Sequence, residues 1–295
     1  MNERNNPKIV VTGVPGNVGD EVVRYLLEAN QDLRALSLDP RDLKGKLDLD
    51  VECCEFDFTR ESTFERSFEN AKKMFLLRPP PMKDVKRDLF PSIDAAVESG
   101  IEHFVFLSLM GVNPKTPHFK VEKYLKKLHK RKGIFYTFLR PSFFMQNLNT
   151  AHVETIRDED QIFLPAGKGK TSFIDVRDVG AITAKVLSEP GHENKAYTLT
   201  GNQALDYFQV ATIFSNVLGR EIIYPKPSFK KFAEKLSEKG YKRDYIKVMK
   251  MLYFFVRRGA GSKVTSTAEE LLERKPTSFH DYVEDYAHWF EPNEN

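Results

Sequence analysis

Apolar residues fall along this chain in two alternating rhythms. Short unbroken runs read as buried strands: "KIVVTG" (8–13), "LRALSL" (33–38), "VECCEFD" (51–57), "KKMFLL" (72–77), "HFVFLSL" (103–109) and "FYTFLRP" (135–141). Between them, apolar positions recur every three or four residues, the period of a helix with one buried face. "NVGDEVVRYLLEAN" puts Val22, Val23, Leu26 and Leu27 on one side, and "ESTFERSFEN" and "DLFPSIDAAVESG" repeat the pattern. "HFKVEKYLKKLHK" (118–130) places Val121, Tyr124, Leu125 and Leu128 on one face and a mostly basic set on the other. Strand and helix alternating through short loops predict an α/β protein with a parallel sheet covered on both faces. Right-handed crossovers make that sheet doubly wound.

The rhythm changes after residue 150. "TSFIDV" and "AYTLTG" read as short strands, while "RDVGAITAKVLSEP" and "DYFQVATIFSNVLG" read as helices ending at Pro or Gly stop signals. The stretch 225–275 is rich in lysine and aromatics. Phe229, Phe232 and Leu236 recur at helical spacing there, as do Met249, Leu252 and Tyr253, which predicts core packing beneath a solvated lysine face. No repeat or flexible linker interrupts the chain. The expected organisation is a sheet domain over 1–150 and a smaller, mostly helical lobe over 151–295, with some segments returning to the sheet.

Composition narrows the function classes. With 41% hydrophobic and 12% aromatic residues the chain has the material for a core, which excludes a disordered protein. A net charge of +3 over 295 residues does not call for nucleic acid, and no zinc-finger or RRM signature is present. The opening "MNERNNPK" is polar, and the longest apolar stretch, "GIFYTFLRPSFFM", is broken by Arg140 and Pro141, so neither a signal peptide nor a membrane span is expected. Cys53 and Cys54 are adjacent; on a strand they point to opposite faces and read as two thiols in a reducing cytoplasm. The cysteines and histidines show no metal-ligand spacing, and no metal is expected.

Chemistry enters at "VVTGVPGNVGDEVV". Gly13, Gly16 and Gly19 stand three residues apart between the first strand and the first helix. The first glycine permits the tight turn, the second lets the backbone approach a pyrophosphate, and the third lets the helix pack on the strand. The helix start then offers unpaired N–H groups and a partial positive charge to the phosphates. In that context the loop predicts dinucleotide binding. Asp20 and Glu21 oppose it slightly, since they suit the helix dipole but not a nearby phosphate.

Taken in order, "TGVPGNVG", "DFTRESTFERSFENAKKMFLL", "HFVFLSLMGVNP", "FLRPSFFMQNL", "LPAGKGKTSFIDVRDVGAITAKVLSEPGHENKAYTLTGNQALDY" and "PTSFHDYVEDYAHWF" resemble the NmrA-like atypical short-chain dehydrogenase/reductases. The resemblance implies a Rossmann domain binding NADP or NAD and a smaller C-terminal lobe, with the nicotinamide in the cleft between them. It implies that Gly13, Pro15, Gly16, Asn17, Val18 and Gly19 form the phosphate loop. Asp57 and Phe58 match the pair beside adenine, Leu77 and Arg78 the turn near the ribose, and Ser108 the strand end below the nicotinamide. Pro141, Ser142, Phe143 and Phe144 match the loop beside the carboxamide. Asp57 equally suits a cap on the following helix, and both Phe143 and Phe144 suit a core.

The chain departs from the family pattern twice. Members that take NADP resemble "ALVRDP" after the second strand, with the arginine on the 2′-phosphate; here "ALSLDP" puts Leu38 at that position and Ser37 at the strand tip. Asp39 and Arg41 follow, one repelling and one attracting a 2′-phosphate, so NAD and NADP both stay open. Second, no Tyr-x-x-x-Lys occurs; aligned through Val121 and Glu122, His118 takes the lysine position and Pro114 the tyrosine position. His118 is the candidate catalytic residue, holding the ribose or moving a proton, with an ordinary pKa near neutrality. A structural hydrogen bond is the alternative. Hydride transfer to a quinone tolerates loss of the tyrosine, because water can protonate the phenolate. The expectation is therefore an NAD(P)H-dependent oxidoreductase acting on a quinone-like small molecule. The alternative is a nucleotide-binding redox sensor with a protein partner; a nucleic-acid partner is not expected.

Overall fold

The computed structural model describes residues 7–44 and 51–292; the polar opening 1–6 lies outside the described residues. All six apolar runs are strands: β1 (Lys8–Val11), β2 (Leu33–Ser37), β3 (Glu52–Glu55), β4 (Ala71–Leu77), β5 (His103–Leu107) and β6 (Phe135–Pro141). Two-residue strands β7 (Lys170–Thr171) and β9 (Leu205–Asp206) flank β8 (Lys195–Leu199). The longer helices are α1 (Asn17–Glu28), α2 (Phe90–Glu98), α3 (Pro117–Lys132), α4 (Val176–Ser188), α5 (Tyr207–Leu218), α6 (Phe229–Glu238), α7 (Arg243–Arg257) and α8 (Phe279–Asp285).

One seven-stranded sheet runs in the order β3-β2-β1-β4-β5-β6-β8, and every pair in it is parallel. The order reverses direction between β1 and β4, so a crevice opens at the carboxyl ends of these neighbours. Val11 lies opposite Phe75 there. Strands buried on both faces read as continuous apolar runs, which is why the sequence shows them plainly. Val10, Leu36, Met74, Leu76, Phe104, Phe106 and Phe138 build one core with Ile93 of α2 and Val121 and Leu125 of α3.

The chain divides into two compact units. The first runs to Pro141 and takes back Val176–Leu199; the second holds Ser142–Asp175 and everything from Thr200 on. The division falls at the end of β6, ahead of the expected residue 150, and the returning Val176–Leu199 segment adds β8 beside β6. The second unit has its own core of Phe173, Tyr207, Phe214, Phe232, Tyr253, Phe279, Tyr282 and Phe290. The expected strand "TSFIDV" shortens to Thr171, paired antiparallel with Leu205, and a single bridge from Ile174 to Phe144.

The basic 225–275 stretch corrects one expectation. Phe232 and Tyr253 are buried, and Phe229, Leu236 and Met249 pack on the same core, but Leu252 is 36% exposed. It sits one residue from Tyr253, a turn of about 100° around the helix, and so falls off the buried face. Cys53 is half-buried and Cys54 buried, and both are free thiols. Among the described residues no helix is long and apolar enough to cross a membrane.

In the first unit α1 and α4 approach closely. A Cβ on Gly180 would lie 2.6 Å from the Glu21 Cβ and 2.9 Å from the Glu21 carbonyl carbon. Gly180→Ala is therefore expected to lower stability by about 1–3 kcal/mol, the ordinary cost of overpacking. Urea denaturation read by circular dichroism checks this; an unchanged midpoint would show that the helices separate freely.

Candidate functional site

The turn from β1 to α1 is shaped by close contacts. Gly13 has φ +81°, and a Cβ there would stand 3.0 Å from Leu77 Cδ1. A Cβ on Gly19 would lie 2.2 Å from the Gly13 carbonyl oxygen, and one on Gly16 would lie 2.8 Å from it. These positions tolerate glycine because the helix start is pressed onto the turn. Thr12 joins the two strand ends at the crevice: its hydroxyl donates to the Phe75 carbonyl at 3.0 Å and accepts from the Leu77 N–H at 2.8 Å. Gly13, Leu77 and the α1 start are thus one assembly. Thr12 was not foreseen; a β-branched hydroxyl ending an apolar strand was the available signal.

What the loop offers is a set of N–H groups. The Gly16 N–H donates to Asp20 Oδ1 at 3.0 Å. Among the described residues the N–H groups of Asn17, Val18 and Gly19 have no partner. The Asp20 carboxylate is therefore occupied at the loop's own backbone, Glu21 is paired with Arg24 at 2.6 Å, and three donors remain for an anion. Pro15 and Asn17 are exposed, while Val18 is buried.

At the tip of β2 the two opposing candidates cancel each other. Arg41 grips Asp39 at 2.7 Å, and that contact holds the Asp39 carboxyl down at about 2. Leu38 beside them is 70% exposed. Asp57 is used locally: Oδ1 accepts from the Thr59 N–H at 2.8 Å and the Thr59 hydroxyl at 2.7 Å. Phe58 is buried with its ring edge-on to Phe56 at 4.7 Å.

Arg78 and His118 come together across the crevice side of the first unit. Arg78 turns back on its own loop, donating to the carbonyls of Pro79, Pro80 and Met82. Its Nε and the His118 Nδ1 are both buried without a partner. Burial first, and the Arg78 charge second, push the His118 pKa from its ordinary value near neutrality down to about 4. The imidazole is neutral at physiological pH, and Phe106 lies beside it with ring centres 6.0 Å apart.

Ser108 is engaged as well. Its hydroxyl donates to Glu122 Oε1 at 2.7 Å, and Arg140 grips the same carboxylate with Nε at 2.9 Å and a terminal nitrogen at 2.6 Å. Sequence reasoning missed this triad. The signal was a glutamate beside Val121 on the apolar face of α3, which needs a buried cation. Pro141 ends β6, and its carbonyl accepts from the Met110 N–H at 2.9 Å. Ser142, Phe143 and Phe144 belong to the second unit. There the Ser142 hydroxyl is 3.1 Å from that of Ser172, and the Phe143 carbonyl accepts from the Ile174 N–H at 2.9 Å. His280, Asp281 and Glu284 also cluster in the second unit, all exposed, with His280 3.4 Å from Glu284 and Asp281 capping α8.

A model of the NmrA-like family matches residues 5–283. The chain belongs to the NmrA-like family. It is 30% identical over 284 residues to an NAD(P)H azoreductase of Xenophilus azovorans, covering 95% of this chain and 98% of that one. It is 32% identical over 240 residues to an agroclavine dehydrogenase of Claviceps fusiformis, covering 78% and 82%. Among solved structures, the triphenylmethane reductase of Citrobacter sp. complexed with NADP(H) superposes with a TM-score of 0.82 at 22% identity, over 94% of this chain and 99% of that one. The NADPH-dependent quinone oxidoreductase of Escherichia coli complexed with NADPH gives 0.82 at 22% identity, over 96% and 100%. These two show the NmrA-like chain's fold.

Two predictions follow from the buried charges. Arg140→Met strips Glu122 of its cation and is expected to cost about 3–5 kcal/mol in urea denaturation, while adding Glu122→Gln recovers most of the loss. An additive double variant would show that the pair does not couple. His103, His118 and His152 are each pushed down to about 4 by burial, whereas unfolded histidine titrates near 6.5. The unfolded chain therefore binds protons first, so stability is full above about pH 6.5 and falls towards pH 4. His103→Gln is expected to flatten part of that slope in urea midpoints taken across this window.

Proposed function

We propose that this NmrA-like protein is an NAD(P)H-dependent oxidoreductase that passes hydride to quinone-like or other electron-poor conjugated acceptors. The observation that carries the reading is the trio of unpartnered N–H groups on Asn17, Val18 and Gly19 at the β1/β4 crevice. They fit a pyrophosphate, and the glycines that hold them there have no room for a side chain. The azo, quinone and triphenylmethane groups in the names of its relatives and fold neighbours share one property, an electron-poor conjugated system. Bound dihydronicotinamide supplies the hydride.

The chain's own residues do the rest. Gly13–Gly19 hold the diphosphate, Leu38, Asp39 and Arg41 border one ribose, and Asp57 and Phe58 stand on the adenine side. Leu77, Arg78 and Ser108 line the crevice towards the second ribose. The half-buried His118 imidazole contributes one neutral hydrogen bond, to a ribose hydroxyl or to an acceptor oxygen. A neutral imidazole with a pKa near 4 is not a proton donor at physiological pH, so water protonates the reduced acceptor. With Arg41 paired to Asp39, no strong bias between NADH and NADPH arises at the tip of β2.

The test is a fluorescence titration with NADH and NADPH, followed by a water-soluble quinone and the nicotinamide absorbance. Binding of at least one nucleotide and steady loss of absorbance are expected. His118→Ala should lower kcat/KM about fivefold, the worth of one neutral hydrogen bond at about 1 kcal/mol. The wild-type pH–rate profile should show no inflection near 6.5. Binding without turnover across several quinones would favour the nucleotide sensor instead, and no binding would end both readings.

A further inference from the structure

Helix α7 carries two apolar faces. Ile246, Met249, Tyr253 and Val256 point into the core of the second unit or sit half-buried at its edge. On another side of the helix Val248, Met251, Leu252 and Phe255 are 49%, 56%, 36% and 53% exposed. Their spacing is i, i+3, i+4, i+7, which makes a continuous stripe. Arg243, Lys247, Lys250 and Arg257 occupy the sector between the two faces. Among the described residues none of these four makes an ion pair, although Arg257 also lies over the Phe229 ring. The surrounding 226–258 stretch holds eleven basic and three acidic residues.

We propose that the Val248–Phe255 stripe of α7 docks on the surface of an anionic lipid bilayer. An apolar stripe with Phe and Leu, bordered by a cationic face and carried on a helix of low net hydrophobicity, is what seats at the boundary between headgroups and acyl chains. The cations complement anionic headgroups near the surface. A second copy of the chain fits less well. Four half-exposed side chains present a few hundred Å² at most, against the roughly 800 Å² per partner of a stable interface. A two-fold contact would also bring like cations together. The helix lies on the bilayer and does not span it. On the reductase reading, attachment would put the enzyme where lipid-dissolved quinones reside.

The experiment is co-sedimentation of the whole protein with vesicles of phosphatidylcholine alone or containing phosphatidylglycerol. At least tenfold stronger partition onto the anionic vesicles is expected. Met251→Glu with Phe255→Glu should reduce it more than tenfold, and Lys247→Glu with Lys250→Glu should reduce both the partition and its salt dependence. Circular dichroism confirms that these surface variants fold. No sedimentation with anionic vesicles at low salt overturns the proposal, as does sedimentation that survives Met251→Glu/Phe255→Glu. A concentration-dependent dimer abolished by the same variant overturns it in favour of a second copy. Turnover of a water-soluble quinone without vesicles should stay within twofold in that variant. A tenfold loss there assigns the stripe to acceptor binding and also overturns the proposal. Failure of the wild type to turn over, with vesicle binding intact, overturns only the reductase reading.

Discussion

The helix α1 start is pressed onto the β1 turn until only hydrogen fits at Gly19, where a Cβ would lie 2.2 Å from the Gly13 carbonyl oxygen. Much else in the first unit depends on that approach. It fixes the start of α1, where the N–H groups of Asn17, Val18 and Gly19 have no partner among the described residues. Gly180 of α4 likewise has no room for a side chain, against Glu21 of the same helix α1. Thr12 then carries the constraint across to β4 by holding the Leu77 N–H, and Leu77 in turn packs on Gly13. On the proposed function, a phosphate seat built this way would need no charged side chain, since its donors are backbone groups held by packing.

In the interior of the same unit one carboxylate is closely matched by a cation. Glu122 is 3% exposed, yet its carboxylate accepts from both Ser108 and Arg140. A buried ion pair is weak evidence of net stabilisation, because desolvation offsets most of the attraction. Its value is in register: helix α3, strand β5 and strand β6 are tied at one point. That leaves the N-terminal turn of α3, with His118, in a fixed place beside Arg78, while its lysines face outward. The opposite sides of "HFKVEKYLKKLHK" thus do different work, one holding position and one carrying charge.

Periodicity made the sheet legible and left the side-chain pairing out of sight. Strands buried on both faces announce themselves as apolar runs, so β1, β2, β4, β5 and β6 stand close to where the pattern puts them, while β3, the half-exposed edge strand, shortens to Glu52–Glu55. The glycine spacing marked the loop for the same reason, since each glycine answers a separate steric demand. Pairings between residues distant in sequence were not legible: Ser108 and Arg140 flank Glu122 from different elements, and nothing in the local pattern joins them. Asp39 and Arg41 were visible as rivals but not as partners, although two residues apart is close enough to pair in a turn. In α7 the sequence showed Met249, Leu252 and Tyr253 as one group. About 100° of helix separates Leu252 from Tyr253, and a pattern that counts apolar positions merges two stripes that the structure separates.

The absence of a tyrosine–lysine pair and the neutrality of His118 constrain the chemistry from the same side. A ketone that takes a hydride develops an alkoxide whose conjugate acid has a pKa far above neutral pH, so a positioned acid is needed in the transition state. A quinone develops a phenolate, which is stable enough in water near neutral pH to wait for a solvent proton. A site that buries His118 and lowers its pKa has given up the imidazolium and kept a hydrogen-bonding atom. On the proposed function such a site orients an acceptor beside the nucleotide, and the hydride transfer depends on the acceptor's own electron demand. On the proposed function, acceptors are selected by how readily they take a hydride, not by how well the protein can protonate them.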